Sequence, residues 1–229
     1  MSKPLIRVTQ LEKFRRYITE ASSYDTEQSV IDTLSGEFTG NTYTRIGSAF
    51  HKIVEEGDAF LNYNPNYPGY DIYIDGNVVK FTMKQARVAL DYRDEHPGAF
   101  HEVRRYKDYG RAIVTGCADM IDGIEIRDIK TKYSQPNDAD YINSCQWRYY
   151  LDIFGADVFH FDLFKFEGYK IDKHGYDVRG LELKRHTPPI TCYRYPNMEA
   201  DNLALLNAFM DWAESRDLIK YLKQFDITI

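Results

Sequence analysis

Residues 111–131 read RAIVTGCADMIDGIEIRDIKT, and this stretch contains the signals that decide the fold. Two runs rich in apolar and β-branched residues, 111–121 and 124–131, are separated by Asp122-Gly123. An Asp-Gly pair between two such runs is a strong signal for a two-residue hairpin loop, because a type I′ turn needs positive φ at both central positions. We therefore predict an antiparallel β-hairpin over these residues.

This hairpin predicts a cluster of charges on one face of the sheet, because strand side chains alternate between faces. With the loop so placed, Asp119 pairs with Ile126, which puts Asp119 on the face that carries Asp128 and Lys130. Ile124 and Ile126 on that face predict that it is largely buried. Diagonal neighbours lie about 7–8 Å apart at the backbone, within reach for two carboxylates to share one ion. Such a buried pair is costly unless a divalent cation lies between the carboxylates, and oxygen ligands suit Mg²⁺ or Mn²⁺. The alternative is an Asp–Lys ion pair on a solvated face.

Helical periodicity and turn residues place the remaining elements. Helices are predicted at about 9–22, 43–60, 82–95, 139–154 and 198–225, with a break near 215–216 in the last. Further strands are predicted at 100–106, 157–167 and 190–195, and the Asn-, Pro- and Gly-rich residues 62–76 are predicted to be a loop. This order of elements predicts an α/β (or α+β) fold with a central mixed β-sheet flanked by helices.

The composition is that of a globular protein of one or two domains. Of 229 residues, 43% are hydrophobic and 28% are charged. We expect a single domain over 1–229, with a motif-bearing core at about 43–167 and C-terminal strands and a helix in 168–229. The 29 Lys and Arg against 35 Asp and Glu give a net charge of −6, so bulk charge does not favour an electrostatic nucleic-acid binder.

The spacing of the cysteines and the length of the apolar runs indicate the cellular compartment. Cys117, Cys145 and Cys192 are widely spaced and form no C-x-x-C pair, which favours free thiols in a reducing cytoplasm over a zinc or redox site. The sequence contains no apolar run long enough for a membrane span and no signal-peptide core after Met1, so no membrane partner is expected. We therefore expect a cytoplasmic protein.

Four segments carry a resemblance to a known family. In chain order they are 47–51 (GSAFH), 116–119 (GCAD), 128–131 (DIKT) and 146–150 (QWRYY). They resemble the G-x-x-x-H, G-x-x-D, D-x-K-T and Q-x-x-x-Y motifs of the PD-(D/E)xK nuclease superfamily, in its RecB-type, lambda-exonuclease-like branch. The resemblance extends over roughly residues 9 to 167. It implies an α/β fold with a restriction-endonuclease-like core.

The resemblance also implies a metal centre and a mechanism. His51, Asp119, Asp128 and the Ile129 carbonyl would hold one or two Mg²⁺ or Mn²⁺ ions. The metal would polarise the scissile phosphate and activate a water. Lys130 would orient that water or help to deprotonate it.

Other matched residues would support this centre. Gln146 and Tyr150 lie one turn apart on a predicted helix and would orient Lys130, a water or a phosphate. Gly47 would let another backbone segment approach its helix closely. Glu55 and Glu102 are further candidates near the metal ligands.

The function implied is that of a metal-dependent deoxyribonuclease with little sequence specificity. We expect an exonuclease in DNA recombination, repair or phage DNA processing, with a recombination protein as a candidate partner. The cysteines do not match the four-cysteine pattern of the iron–sulfur members of this branch, so no iron–sulfur cluster is expected. The sequence contains no G-x-x-x-x-G-K-[ST] motif, so we expect a stand-alone nuclease domain.

Two other functions compete with this one. The first is a catalytically silent DNA-binding or assembly protein that retains the nuclease fold, which an assay of metal-dependent cleavage of linear DNA would separate. The second is a carboxylate-pair hydrolase acting on glycans, which would give no role to Lys130. Loss of all activity in chelator would argue against the glycan hydrolase.

Overall fold

The computed structural model describes residues 2–36 and 40–226, which form an α/β fold with a mixed central sheet. The strands are β1 (Ser2–Arg7), β2 (Asn62–Asn64), β3 (Gly69–Ile74), β4 (Asn77–Thr82), β5 (Phe100–Asp108), β6 (Ile113–Asp122), β7 (Glu125–Lys132), β8 (Val158–Phe166), β9 (Leu183–Arg185), β10 (Ile190–Tyr193) and β11 (Lys223–Asp226). The helices are α1 (Val8–Ile18), α2 (Glu27–Ser35), α3 (Thr42–Glu56), α4 (Met83–Asp94), α5 (Asp138–Ile142), α6 (Gln146–Phe154), α7 (Ile171–His174) and α8 (Met198–Ser215), and Gly57–Phe60 and Ile219–Tyr221 form 3₁₀ turns. The predicted class, a mixed sheet flanked by helices, is confirmed.

The larger sheet of the described residues runs in the order β10-β8-β7-β6-β1-β11, with β5 also paired to β6 and β9 to β8. The β7–β8 and β1–β6 pairs are parallel, and the other pairs are antiparallel. One edge of β6 pairs with β5 over residues 113–121. The other edge is shared, because β7 pairs with residues 120–122 and β1 with residues 113–115. Between them, residues 116–119 of β6 have no strand partner on that edge among the described residues.

Helices pack on both faces of this sheet. One hydrophobic core lies under α1, α6 and α8 and contains Phe14, Phe159 and Phe209. The other lies under α3, α4 and the small antiparallel sheet β2-β3-β4, and contains Phe50 and Phe164. Each helix buries one stripe of side chains, as amphipathic helices do. Within residues 2–36 and 40–226, every helix is too short or too polar to cross a lipid bilayer.

The predicted hairpin is present, but its register differs from the prediction by two residues. Ile121 pairs with Ile126, and Asp122 pairs with Glu125, so the two-residue loop is Gly123-Ile124. Gly123 has a φ of +61°, and glycine at the first central position is what a type II′ turn requires. Ile124 therefore lies in the turn with 74% of its surface exposed, and the expectation that it marks a buried face is wrong.

Residues 62–76 are not simply a loop, since they contain β2 and β3. Strand β3 pairs with β4 over its whole length, and Ile72 is fully buried in the core under α3 and α4. The Asn, Pro and Gly residues that predict a loop lie in the turns between the strands. The alternation of Tyr and Ile at 70–74 is the strand signal that the loop prediction missed.

Two predicted helices are divided in the structure. The helix predicted at 139–154 is interrupted at 143–145, where the backbone N–H of Cys145 donates to the Glu12 carboxylate of α1 at 2.8 Å. The helix predicted at 198–225 ends at Ser215, and the chain returns as β11 to pair with β1. The sequence patterns predict neither β1 nor β11, because a short strand gains its structure from its partners more than from its own sequence.

Candidate metal centre

The divergence of β7 from β6 opens the sheet at the predicted site. The ladder between these strands is not continued beyond Met120 and Arg127. Past that point, Oδ2 of Asp119 accepts the backbone N–H of Ile129 at 2.8 Å, so a side chain takes the place of a ladder hydrogen bond. A cavity of about 230 Å³ lies at this opening and is lined by Asp119, Asp128 and Lys130.

Three side chains from three elements converge beside this cavity. His51 comes from α3, Glu102 from β5 and Asp119 from β6, and their nearest nitrogen and oxygen atoms all lie within 4.8 Å of one another. Nδ1 of His51 is 3.8 Å from Oδ1 of Asp119. Imidazole and carboxylates are ligands for Mn²⁺ and related divalent ions. This His–Glu–Asp cluster could therefore hold a metal ion.

Glu102 lies in this cluster because of strand register. In the β5–β6 pair, Val103 pairs with Ala118 and His101 with Met120, which places Glu102 opposite Asp119. Its φ of +51° is uncommon for a residue other than glycine, and such strained backbone positions often lie at functional sites.

The position of His51 follows from the packing of α3 against β7. Ile46, Phe50 and Ile53 are fully buried and fix the rotation of the helix. A Cβ on Gly47 would lie only 2.8 Å from Oγ1 of Thr131, so this glycine makes room for a side chain of β7 and not for the backbone segment that the sequence predicts. One turn later, His51 reaches the sheet, where its Nδ1 faces the Asp119 carboxylate.

Asp128 lies in the same cavity but makes a different set of contacts. Its carboxylate is almost fully buried, and Oδ1 accepts hydrogen bonds from Nζ of Lys130 at 2.8 Å and Nε2 of Gln146 at 2.9 Å. Oδ2 lies 2.7 Å from the same ammonium nitrogen but accepts no hydrogen bond. One oxygen of this buried carboxylate therefore has unused acceptor capacity.

Burial dominates the electrostatics of the two aspartates. It raises the pKa of Asp119 to about 6 and the pKa of Asp128 to about 6, and the Lys130 ammonium opposes both shifts. Burial opposes protonation of Lys130, but Asp128 and Asp119 outweigh it and raise the pKa of Lys130, which stays an ammonium. Burial, followed by the Lys130 charge, lowers the pKa of His51, which favours the neutral imidazole that ligates metals.

Gln146 and Tyr150 both face the opened sheet, as the predicted helix face requires. The Tyr150 hydroxyl donates to the backbone carbonyl of Cys117 at 2.8 Å, on the β6 edge that has no strand partner. Its ring packs over Gly116, where a Cβ would lie 3.3 Å from Cζ. Tyr150 is only 5% exposed and belongs to the core under α6, so its contacts are those of a residue that holds the site together.

The structure brings together most of the residues that the sequence singles out, with three differences. The cluster that could hold a metal contains Glu102, whereas Asp128 is engaged by Lys130 and Gln146. Glu55 pairs with Lys52 on α3, and nothing places it in the cluster. Lys132 lies at the end of β7, where a lysine is expected to be solvated, but it is half-buried with its ammonium 5.5 Å from the centre of the Tyr141 ring.

Comparisons with known proteins find distant structural similarities and no match in sequence. No family model matches the chain, and no curated protein matches it. A solved structure of a Eubacterium rectale protein named "Putative exonuclease" aligns over 98% of this chain and 85% of its own, at 12% identity and a TM-score of 0.49. The crystal structure of SSO0001 aligns over 93% of this chain and 78% of its own, at 16% identity and a TM-score of 0.44.

Truncation of Tyr150 tests its structural role. Tyr150→Ala should lower the free energy of unfolding by about 3–5 kcal/mol, because it leaves a cavity in the core. Tyr150→Phe should lower it by about 1 kcal/mol, because it removes only the hydrogen bond to Cys117. Urea unfolding followed by circular dichroism measures both values, and Tyr24→Ala, at a site 84% exposed, is the control. A Tyr150→Ala variant as stable as the control would contradict this role.

Substitution of Glu102 tests its place among the ligands. Glu102→Gln keeps the size of the side chain and removes its charge, so we expect Mn²⁺ affinity in calorimetric titration to fall by roughly tenfold or more. Glu182→Gln, an exposed carboxylate paired with Lys184 far along the chain, should bind Mn²⁺ as the parent does. Equal affinities for parent and Glu102→Gln would remove Glu102 from the site.

Proposed function

We propose that the protein is a metal-dependent nuclease that hydrolyses phosphodiester bonds of DNA. The observation that carries this proposal is the convergence of His51, Glu102 and Asp119 beside the Asp128–Lys130 pair at one opened point of the sheet. A set of hard ligands next to a fixed ammonium suits a phosphate ester, which brings negative charge to both. The sequence motifs of the RecB-type, lambda-exonuclease-like branch agree with this assignment.

The residues present fit a divalent cation of the Mg²⁺ or Mn²⁺ type. The carboxylates of Asp119, which is half-buried, and Asp128, which is buried, have raised pKa values, so a cation would relieve the unfavourable desolvation of two negative charges. Oδ2 of Asp128 lacks a hydrogen bond although it is buried, and so has room for a further ligand bond. We propose that His51, Glu102 and Asp119 hold one ion, with Asp128 and the Ile129 carbonyl completing its surroundings or holding a second ion.

The protein's own groups would then position the reacting phosphate. When bound, the metal would polarise that phosphate and lower the pKa of a coordinated water. The Lys130 side chain is about a third exposed and opens on the cavity, so it can hold a phosphate oxygen or orient the attacking water. Gln146 donates to Asp128, which keeps the carboxylate aligned with the Lys130 ammonium. Tyr150 secures the β6 backbone beneath them.

DNA of different topology tests this function. In Mg²⁺ we expect the protein to digest linear duplex and to leave closed-circular duplex intact, as an exonuclease does, and chelator should abolish digestion. Cutting of the closed circle would assign an endonuclease. Binding of DNA without cleavage in Mg²⁺ or Mn²⁺ would contradict a nuclease and favour a DNA-binding protein. A role in recombination, repair or phage DNA processing, with a recombination partner, belongs to the same proposal.

Lys130 offers the sharpest test of mechanism. Lys130→Met keeps the aliphatic stem and removes the charged donor, so turnover should fall by roughly 10²-fold or more. Mn²⁺ binding should survive, because the carboxylate and imidazole ligands remain. Lys173→Met, at an exposed lysine on α7, should digest linear DNA at the parent rate. Equal rates for Lys130→Met and the parent would exclude Lys130 from the reaction.

A further inference from the structure

A second cavity adjoins the candidate metal centre. It has a volume of about 510 Å³ and lies between β1, β5, the end of α2 and the segment that enters β11. Three of its lining residues, Arg7, Arg104 and Thr115, also line the cavity of the metal centre. The two cavities are therefore neighbours that share part of their lining.

The described residues that line this second cavity give it a positive charge. Arg7, Arg104 and Lys223 point to it, and no Asp or Glu is among its described lining residues. The Arg104 guanidinium makes a single long hydrogen bond, 3.5 Å to the Thr115 hydroxyl, and Arg7 donates to the backbone carbonyl of Thr33. None of the three cations forms a salt bridge within the described residues, although the chain as a whole is acidic, with a net charge of −6.

Aromatic rings accompany these cations. Tyr106 and Tyr221 line the same cavity and are 47% and 46% exposed. The Tyr106 ring packs against Phe225, with ring centres 5.0 Å apart, which holds it in place. Exposed rings beside unpaired cations are the pattern of surfaces that stack bases and hold phosphates of single-stranded nucleic acids. We call Arg7, Arg104, Lys223, Tyr106 and Tyr221 the basic groove.

We propose that the basic groove binds the single-stranded segment of DNA next to the phosphate that lies at the metal centre. A cavity of this size resembles those that hold one small ligand, so it accommodates about one or two nucleotides and not a duplex. Because Arg7, Arg104 and Thr115 line both cavities, a strand held in the groove would lie next to the candidate metal ligands. This inference rests on the proposed nuclease function and adds that the strand must be unpaired on this side of the cleavage point.

Binding without cleavage tests the groove by itself. A fluorescein-labelled oligothymidylate is titrated in EDTA with the parent and with Lys223→Gln and Arg104→Gln, and anisotropy is read over a range of salt concentrations. Each phosphate contact on a single strand contributes about 0.7 to the slope of log K against log salt, so each variant should lose about 0.7. Tyr221→Ala should weaken binding roughly tenfold with an unchanged slope, because stacking carries no charge.

Controls separate the groove from general charge and from the nuclease proposal. Lys173→Gln removes the same charge from an exposed site on α7 and should bind as the parent does. Blunt duplex DNA should bind more weakly than the single strand, and an oligouridylate competitor tells whether DNA or RNA is preferred. Three results would overturn the groove. They are equal affinity and slope for the parent and Lys223→Gln, a preference of the parent for duplex DNA or RNA, and no binding of the single strand by the parent. If the parent binds the single strand through the groove but cleaves no DNA in Mg²⁺, the nuclease function would be overturned instead.

Discussion

The candidate metal site depends on how strands pair along β6, because β7 and β1 share one edge of this strand and leave the middle of that edge unpaired among the described residues. β5 pairs with one edge of β6 over residues 113–121, while the other edge is paired only near its two ends. Buried backbone groups need hydrogen-bond partners, and here side chains supply them. Asp119 accepts the N–H of Ile129 and Tyr150 donates to the carbonyl of Cys117, so the opened part of the sheet remains stable.

This opening lets helices from opposite faces of the sheet contribute to one site. α3 approaches from one core and supplies His51, and α6 approaches from the other and supplies Gln146. In a continuous sheet these two side chains would be separated by the backbone of the strands. The buried carboxylates between them are unfavourable by themselves, and Lys130 offsets part of their charge. The site is thus arranged to gain from a bound cation.

The local charge of the cavity that contains the basic groove differs in sign from the net charge of the chain. A net charge of −6 argues against a nucleic-acid binder when the charge is treated as uniform. In the fold, most acidic groups near cations form ion pairs, while Arg7, Arg104 and Lys223 line a cavity without a carboxylate among its described residues. Screening limits electrostatic effects to about 8–10 Å, so a ligand in this cavity would respond to the local positive charge more than to the net charge of the chain.

Local sequence patterns assign each candidate residue to its helix or strand, whereas long-range packing brings these residues together. Periodicity placed His51 on a helix, Asp119 and Asp128 on paired strands, and Gln146 and Tyr150 on one helix face, because local side-chain spacing follows from backbone geometry. The hairpin register that it predicts is wrong by two residues, because Gly123 occupies the first central position of the turn and not the second. Strand β1, the alignment of Glu102 with Asp119 and the basic groove depend on pairings between distant segments. Their energies come from contacts that local sequence patterns do not contain.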